Sequence, residues 1–191
     1  MVVLAIDPGT KHSAYVRYST ETGKVTGDYL DNPTLLIFMR NSFVAPDALV
    51  IEPIAMGGMI AGVETFETAE FVGMLFEAAR TRFGHVPRYK LRRAAIFAHL
   101  VGQRIKGKSD AQIRQVLIDR FGGESKAIGG VKCKACKGRG ATRKVPCVPC
   151  KGAGLETPRG PLYELATHQW SALAVAVTFA ERADLAERVI I

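Results

Sequence analysis

The fold of this chain is decided near its start, by the run Val2-Val3-Leu4-Ala5-Ile6-Asp7-Pro8-Gly9. A continuous apolar run that ends in an acid is typical of a buried central strand, and Pro8-Gly9 stops it. The same pattern returns at Ala48-Leu49-Val50-Ile51-Glu52, which Pro53 stops. If the two strands are neighbours, Asp7 and Glu52 project together at the edge of the sheet where open α/β sheets bind their ligands.

The residues around these two strands complete the outline of a mixed α/β domain. Strands over 13–19 and 24–30 follow the first one closely, which predicts a three-stranded meander. The segment 64–83 has apolar residues at helical spacing, among them Phe66, Ala69, Phe76 and Ala79. Further helices are predicted over 35–41 and 92–103, after a capping box at Ser109-Asp110-Ala111-Gln112, and over a last segment that contains His168.

The chain is basic, with 26 Lys and Arg against 18 Asp and Glu in 191 residues. Eight basic residues lie between Arg82 and Lys108 and eight more between Lys126 and Lys151, and neither block contains an acid. Charge clustered in this way favours a polyanionic partner, and nucleic acid is the best candidate. No apolar run is long enough for a membrane span or a signal sequence, so we expect no membrane partner and a cytoplasmic location.

All four cysteines lie in two copies of the pattern Cys-x-x-Cys-x-Gly-x-Gly, at 133–140 and 147–154. Each pair, Cys133 with Cys136 and Cys147 with Cys150, has the spacing of a knuckle that grips one side of a tetrahedral metal ion. Four thiolates predict a closed, structural Zn²⁺ site; a redox dithiol and two independent free pairs are the alternatives. The surrounding Lys and Arg residues leave two roles for this hairpin, a DNA-gripping finger or a staple of the fold.

Asp7 and Glu52 have the chemistry of a divalent-metal site. Two carboxylates a few ångströms apart repel one another unless a cation lies between them, and hard oxygen ligands suit Mg²⁺. A site of this kind can hydrolyse phosphodiesters. The alternative is that each acid only caps the turn after its strand, and for either acid alone that explanation is the simpler one.

Four motifs, taken in order, resemble those of RuvC-type Holliday junction resolvases, which belong to the RNase H-like superfamily. The first two are Ala5-Ile6-Asp7-Pro8-Gly9-Thr10-Lys11-His12-Ser13-Ala14-Tyr15 and Val50-Ile51-Glu52-Pro53. Lys106-Gly107-Lys108-Ser109-Asp110-Ala111-Gln112-Ile113-Arg114 resembles the family's basic loop and following helix. His168-Gln169-Trp170-Ser171-Ala172-Leu173-Ala174-Val175-Ala176-Val177 resembles the helix that delivers its last metal ligands. The cysteine segment lies outside this resemblance and is similar to the zinc module of DnaJ-type chaperones.

The resemblance implies a role for each matched residue. Asp7, Glu52 and His168 are expected to hold Mg²⁺ or Mn²⁺ for hydrolysis of a phosphodiester. Lys106, Lys108 and Arg114 are expected to steady the DNA phosphates. If the zinc hairpin is a finger, Lys134 and Arg139 are added as DNA contacts.

The chain departs from the family at Ser171. The family's last helix presents two ligands three residues apart, usually Asp and Asp, in some members His and Asp. Here these positions hold His168 and Ser171, and a hydroxyl is a poor, uncharged substitute for a carboxylate on Mg²⁺. Either the site works with less charge, or Glu164 or Asp110 supplies the acid, or the site is weakened and the protein mainly binds DNA. Asp110 also has an explanation without a metal, because an acid at the first residue of a helix interacts favourably with the helix dipole.

The expected fold is an RNase H-like α/β domain with a mixed five-stranded sheet, helices on both faces and an inserted zinc hairpin. We predict a nuclease core over 1–128, the hairpin over 129–155 and a C-terminal helix over 156–191 that completes the core. The expected activity is that of a crossover junction endodeoxyribonuclease, a homodimer that cuts four-way junctions in a bacterial or phage-infected cell.

Three other functions fit the same residues. One is a looser nuclease that cuts flaps, forks and other branched DNA. Another is a junction-binding protein with a degenerate nuclease site and the zinc finger as its main contact. The third is an RNase H-like enzyme that acts on RNA or on RNA–DNA hybrids.

Overall fold

A computed structural model of the chain describes residues 1–41, 44–54, 62–102, 109–142 and 145–190. It divides into two compact units, which are Met1–Arg114 with Leu165–Ile191, and Gln115–Glu164. The second unit contains the predicted hairpin segment 129–155 and extends beyond it on both sides. The boundaries 1–128, 129–155 and 156–191 remain a prediction.

The first unit holds the main sheet and most of the helices. In chain order its elements are β1 (Val2–Asp7), β2 (His12–Ser19), β3 (Val25–Asp31), α1 (Asn32–Asn41), β4 (Ala48–Ile51), α2 (Val63–Arg82), β5 (Arg88–Lys90), α3 (Arg93–Leu100), the start of α4 (Asp110–Arg120), α6 (Gln169–Glu181), a 3₁₀ turn (Ala183–Leu185) and β8 (Glu187–Arg188). The second unit holds the rest of α4, α5 (Glu124–Ala127), β6 (Ala141–Thr142) and β7 (Val145–Pro146).

The main sheet is mixed, with the strand order β3-β2-β1-β4-β5-β8. β1, β2 and β3 form the predicted antiparallel meander. β4 pairs parallel to β1 and β5 parallel to β4, whereas β8 is antiparallel to β5. The mixed sheet flanked by helices is therefore confirmed. β8 adds a sixth strand at its edge, with two charged residues that carry no alternating apolar pattern.

Helices cover the two faces of this sheet. On one face of the sheet, alternate strand residues such as Leu4 and Ile6 share a buried cluster with residues of α1 and α2. The residues between them, such as Val3 and Ala5, point to the opposite face and are also fully buried. The helix α6 packs against β1 and β2. Eleven residues of α6 are buried, which explains why its sequence is almost continuously apolar.

Two helices differ in detail from their predictions. In α2, Phe66 is 66% exposed, and the buried face holds Thr68, Phe71, Val72, Leu75, Phe76, Ala78 and Ala79. The last helix begins at Gln169, so His168 is its N-cap residue and lies just outside it. Glu164 therefore does not lie on the same helix as His168. Within the described part of the chain, no helix has the length and apolar character that a membrane span needs.

Candidate active site and candidate metal centre

Asp7 and Glu52 lie at the same edge of the sheet. Their strands β1 and β4 are parallel neighbours in which Ile6 pairs with Ile51. The backbone N–H of Glu52 donates to the carbonyl of Ile6 at 3.1 Å, which extends the pairing up to the acid. Both side chains are largely buried, with 17% of Asp7 and 9% of Glu52 exposed. The predicted convergence of the two carboxylates at one sheet edge follows from this register.

A buried polar network fixes the loop that follows Asp7. The Ser13 hydroxyl donates to Asn32 Oδ1 at 2.7 Å, and the Gly9 N–H donates to the Ser13 hydroxyl at 3.2 Å. Asn32 Nδ2 donates to the carbonyls of Gly9 and Thr10, each at 3.0 Å. A Cβ at Gly9 would lie 2.4 Å from the carbonyl oxygen of His12, so only glycine fits. The loop therefore holds Asp7 in a defined position.

His168 contacts Asp7 directly. Its Nδ1 atom lies 3.3 Å from Asp7 Oδ2. The residue before it, Thr167, has φ +33°, a left-handed conformation that is unfavourable for a β-branched residue. The start of α6 is thus turned in a strained way that brings the imidazole to the end of β1.

Aromatic rings from β2 and β3 stand beside His168. Tyr29 stacks on His168 with ring centroids 5.4 Å apart and on His12 with centroids 5.5 Å apart. These rings line a cavity of about 480 Å³. The rest of its lining is Asp7, Pro8, Gly9, Thr10, Lys11 and Glu64. The cavity therefore joins the candidate carboxylate site to a further acid, Glu64, at the start of α2.

Arg93, the first residue of α3, connects Glu52 to Asp110. Its Nη1 atom lies 3.2 Å and 3.3 Å from the two carboxylate oxygens of Glu52. Its Nη2 atom donates to Asp110 Oδ1, and its guanidinium lies over the Phe97 ring. The sequence reasoning missed Arg93, because in the basic block 82–108 it is one of eight similar charges. Its position three residues after β5 distinguishes it only once the structure has shown that three-residue strand.

The electrostatics of this cluster favour an added cation. Burial raises the pKa of Glu52 to about 7, with Asp7 and Asp110 acting in the same direction and Arg93 opposing them. Burial also raises the pKa of Asp7, against the lowering effects of His168 and Arg93. Burial disfavours the ionised form of these two carboxylates, and a bound positive ion would stabilise that form.

The chemistry of four side chains fits a hard divalent ion. They are the buried carboxylates of Asp7 and Glu52, the imidazole of His168, and the carboxylate of Asp110, which is linked to Glu52 through Arg93. The four residues are not drawn tightly together. Among the described residues, the four cysteines alone supply three or more His, Cys, Asp or Glu ligand atoms within 4.8 Å of one another. In the arrangement seen here, the Arg93 guanidinium supplies the positive charge beside Glu52.

The other predicted site residues lie in several places. Ser171 is the third residue of α6 and is buried. Arg114 lies over the Trp170 ring at 4.9 Å. Glu164 belongs to the second unit, where it is 82% exposed and pairs with Arg159 at 3.7 Å. Lys106 and Lys108 lie outside the described residues.

The four cysteines of the second unit form one buried cluster. The sulfurs of Cys136 and Cys150 are 3.7 Å apart and those of Cys133 and Cys147 are 3.9 Å apart. These separations are far too long for a disulfide, whose sulfurs are about 2 Å apart. They agree with the edge of a tetrahedron around an ion at roughly 2.3 Å from each sulfur, which is about 3.8 Å. The predicted four-cysteine cluster is therefore present and can hold a metal ion.

The two halves of the cysteine segment have the same backbone pattern. The Cys133 N–H donates to the carbonyl of Gly154, and the Cys147 N–H donates to that of Gly140, both at 2.9 Å. A Cβ at Gly140 would lie 2.3 Å from the Gly152 oxygen, and one at Gly154 would lie 2.5 Å from the Gly138 oxygen. The glycines of the repeat thus allow the two knuckles to approach closely.

Hydrogen bonds at the cysteine cluster lower the pKa of one thiol and hold the backbone or side chain of two neighbouring basic residues. Burial favours a higher pKa for Cys136, but the Gly140 amide and the three other thiols lower it to about 7. Arg139 Nε donates to the Cys136 carbonyl at 3.3 Å, and the Lys134 N–H donates to Glu156 at 3.0 Å. Both basic residues are exposed.

The fold is similar to that of solved RuvC structures. No family model matches the sequence, and comparison with curated proteins gives no match. Among 12 matching chains of solved structures, RuvC from Thermus thermophilus has a TM-score of 0.59 and 17% identity over 99% of this chain and 100% of that chain. The same organism's RuvC in complex with a Holliday junction substrate has a TM-score of 0.57 and 17% identity, covering 99% of each chain. The RNase H-like fold is therefore confirmed.

Proposed function

We propose that this protein is a metal-dependent endonuclease that cuts four-way DNA junctions, acting as a homodimer. The observation that carries the proposal is the convergence of Asp7, Glu52 and His168 at the carboxyl ends of β1 and β4. The fold adds support, because one of the similar structures is a RuvC bound to a Holliday junction substrate. The basic composition of the chain suits a DNA partner.

In this proposal Asp7, Glu52 and His168 would hold Mg²⁺ or Mn²⁺. When bound, the ion supplies Lewis acidity and a water of lowered pKa for phosphodiester hydrolysis. Asp7 accepts a hydrogen bond from His168 Nδ1–H, which leaves the Nε2 lone pair for a metal ion or for a hydrogen bond from a water. Arg93 neutralises Glu52 before the ion binds. After binding, the released guanidinium is well suited to a phosphate oxygen.

The remaining predicted residues complete the proposal. Cys133, Cys136, Cys147 and Cys150 hold one structural Zn²⁺ with no open position for catalysis. Lys106, Lys108 and Arg114 contact the DNA backbone, as do Lys134 and Arg139 if the hairpin is a finger. Two copies are proposed because a four-way junction has two strands to be cut symmetrically.

The test is a cleavage assay on a labelled four-way junction, a flap, a linear duplex and an RNA–DNA hybrid, each with Mg²⁺, with Mn²⁺ and with chelator. We expect paired, symmetric nicks in the junction that need the divalent ion, and light scattering of the purified protein should give the mass of two chains. Preferred cutting of flaps or hybrids would identify one of the other nuclease functions.

A DNA-binding protein without cleavage is the second candidate, and Ser171 and Arg93 favour it. Ser171 removes a carboxylate from the site, and Arg93 already neutralises Glu52. Tight junction binding with no nicking in either metal would support this candidate and contradict the nuclease.

A further inference from the structure

His12 and Tyr29, which stack beside His168, have no part in the proposed chemistry described so far. Tyr29 lies on β3 and His12 at the start of β2, whereas His168 comes from the other end of the chain. The interplanar angles are 26° between His12 and Tyr29 and 15° between Tyr29 and His168, so the phenol ring lies nearly parallel to both imidazoles. We propose that Tyr29, supported by His12, is a positioning residue for His168; this inference rests on the proposed function.

His168 needs such support because few contacts hold its side chain. The imidazole is 59% exposed, and Asp7 provides its hydrogen bond at 3.3 Å. As the N-cap of α6 it has no preceding helical turn against which to pack. An exposed side chain with two free torsions samples several rotamers unless a neighbour restricts it. The strained Thr167 places the backbone of His168 but does not fix the plane of its ring.

Tyr29 can fix that plane because its backbone belongs to the sheet that also carries Asp7. Tyr29 pairs with Ala14 of β2, and Ala14 pairs with Asp7 of β1. The ring that stacks on His168 and the carboxylate that bonds to it are therefore carried by β3 and β1 of one sheet, at positions that both pair with Ala14 of the strand between them. His12 also stacks on the phenol, with ring centroids 5.5 Å apart, and this second contact restricts the rotation of Tyr29. Offset or parallel ring contacts of this type stabilise an arrangement beyond the effect of the area that they bury.

The fixed plane determines which imidazole nitrogen serves the cavity. An ionised carboxylate only accepts hydrogen bonds, so Nδ1 must carry the hydrogen that it gives to Asp7. The neutral ring then has its lone pair on Nε2. His168 lines the 480 Å³ cavity together with Asp7 and Glu64, and this is where Nε2 would meet an ion or a water. Rotation of the ring would break the Asp7 contact and move Nε2 at the same time.

The test compares Tyr29→Leu and Tyr29→Phe with the wild-type protein and with Tyr163→Leu. Tyr163 is a matched control, because it is 37% exposed against 42% for Tyr29 and belongs to the other compact unit. Junction cleavage at saturating DNA and Mn²⁺ and junction affinity are measured for each protein. The ring ¹⁵N signals of the histidines are recorded without metal, and His168→Gln identifies the His168 signal among the four.

For Tyr29→Leu we expect the saturated cleavage rate to fall on the order of tenfold or more, with junction affinity unchanged within about twofold. Its His168 nitrogens should show averaged tautomers, whereas the wild type shows one, with hydrogen on Nδ1. Tyr29→Phe keeps the ring face and should restore most of the rate and the single tautomer. Tyr163→Leu should resemble the wild type in both measurements.

Wild-type cleavage by Tyr29→Leu, or equal losses in the Leu and Phe variants, would overturn the inference. If the wild type itself cuts no substrate, the proposed function fails and the ¹⁵N signals decide the inference. A His168 tautomer that is lost in Tyr29→Leu and kept in Tyr29→Phe then supports the positioning role. Identical signals in all proteins overturn it.

Discussion

At the scale of single residues, Glu52 is the acid whose charge state depends most on its surroundings. Burial raises its pKa to about 7, from an ordinary value of 4.5. The folded protein therefore binds more protons than the unfolded chain between these two pH values. By linkage, this residue's contribution to the free energy of unfolding is fully present below pH 4.5 and is lost as pH rises to about 7.

The first prediction is a fall in stability with rising pH that originates at Glu52. Without divalent metal, the free energy of unfolding should decrease between about pH 4.5 and 7 by up to roughly 3 kcal/mol. Urea unfolding at a series of pH values measures it. Glu52→Gln should flatten the profile, as should saturating Mg²⁺, whereas Glu70→Gln on the exposed face of α2 should not. A Glu52→Gln profile as steep as that of the wild type would show that burial of this acid is not the cause.

The second prediction concerns the acid that compensates for Ser171. Asp110 is tied to Glu52 through Arg93, and its charge raises the pKa of both Asp7 and Glu52. We expect Asp110→Asn to weaken Mn²⁺ binding several-fold in calorimetric titration, because a nearby negative charge stabilises the bound ion. Glu164→Gln is the matched control and should leave the affinity unchanged, since Glu164 pairs with Arg159 in the other unit. The opposite ranking of the two variants would assign the role to Glu164.

Individual site residues were predictable from sequence to very different degrees. Asp7 and Glu52 follow from chain order alone, because each ends an apolar strand before a proline. Arg93 and Tyr29 do not, since their roles depend on which side chains meet across separate elements. Asn32 was equally hidden, although its side chain fixes the loop after Asp7. In sequence it is an ordinary polar residue at the start of a helix.

At the scale of elements, we expect the cysteine hairpin to need a bound metal ion for its stability. β6 and β7 are two residues each, and the buried cluster of this segment consists of the four cysteines. Such a segment has little apolar surface to bury, so metal binding must supply most of its folding energy.

The third prediction is that the purified protein contains one Zn²⁺ per chain. Elemental analysis should find it, and Cys136→Ser should abolish it together with the dispersed amide signals of residues 129–155. Lys134→Ala should keep the zinc. If the hairpin is a DNA finger, this variant also weakens junction binding and reduces its salt dependence; an unchanged salt dependence would assign the hairpin to stapling. Full amide dispersion in metal-free protein would contradict a structural metal.

Helix and strand identities were easier to predict than helix faces and ends. α2 has apolar residues on two sides, so spacing alone could not choose between the face of Phe66 and Ala69 and that of Phe71 and Leu75. Tertiary packing against α1 and β1 decides it. The start of α6 depends on the strained turn at Thr167, and no sequence pattern announces a left-handed threonine.

At the scale of the whole molecule, the mixed sheet was predictable because its order follows from simple patterns. Closely spaced strands form the antiparallel meander, and a strand after a connecting helix pairs in parallel. β5 and β8 were not identified, because strands of three and two residues are too short to show a period. At 17% identity the similar RuvC structures share the fold. Identity this low shows the fold alone, so the proposed activity must be tested at the site residues.

The most direct test of the account compares the wild type with Asp7→Asn on one labelled four-way junction in Mg²⁺. Asp7 is chosen because it contacts His168 and ends a central strand of the sheet. Asparagine has nearly the same shape as aspartate, so the substitution removes the charge alone. We predict metal-dependent nicking by the wild type, and for Asp7→Asn a loss on the order of a thousandfold or more with junction affinity retained. Nicking by Asp7→Asn at the wild-type rate would contradict the assignment of the active site to this edge of the sheet.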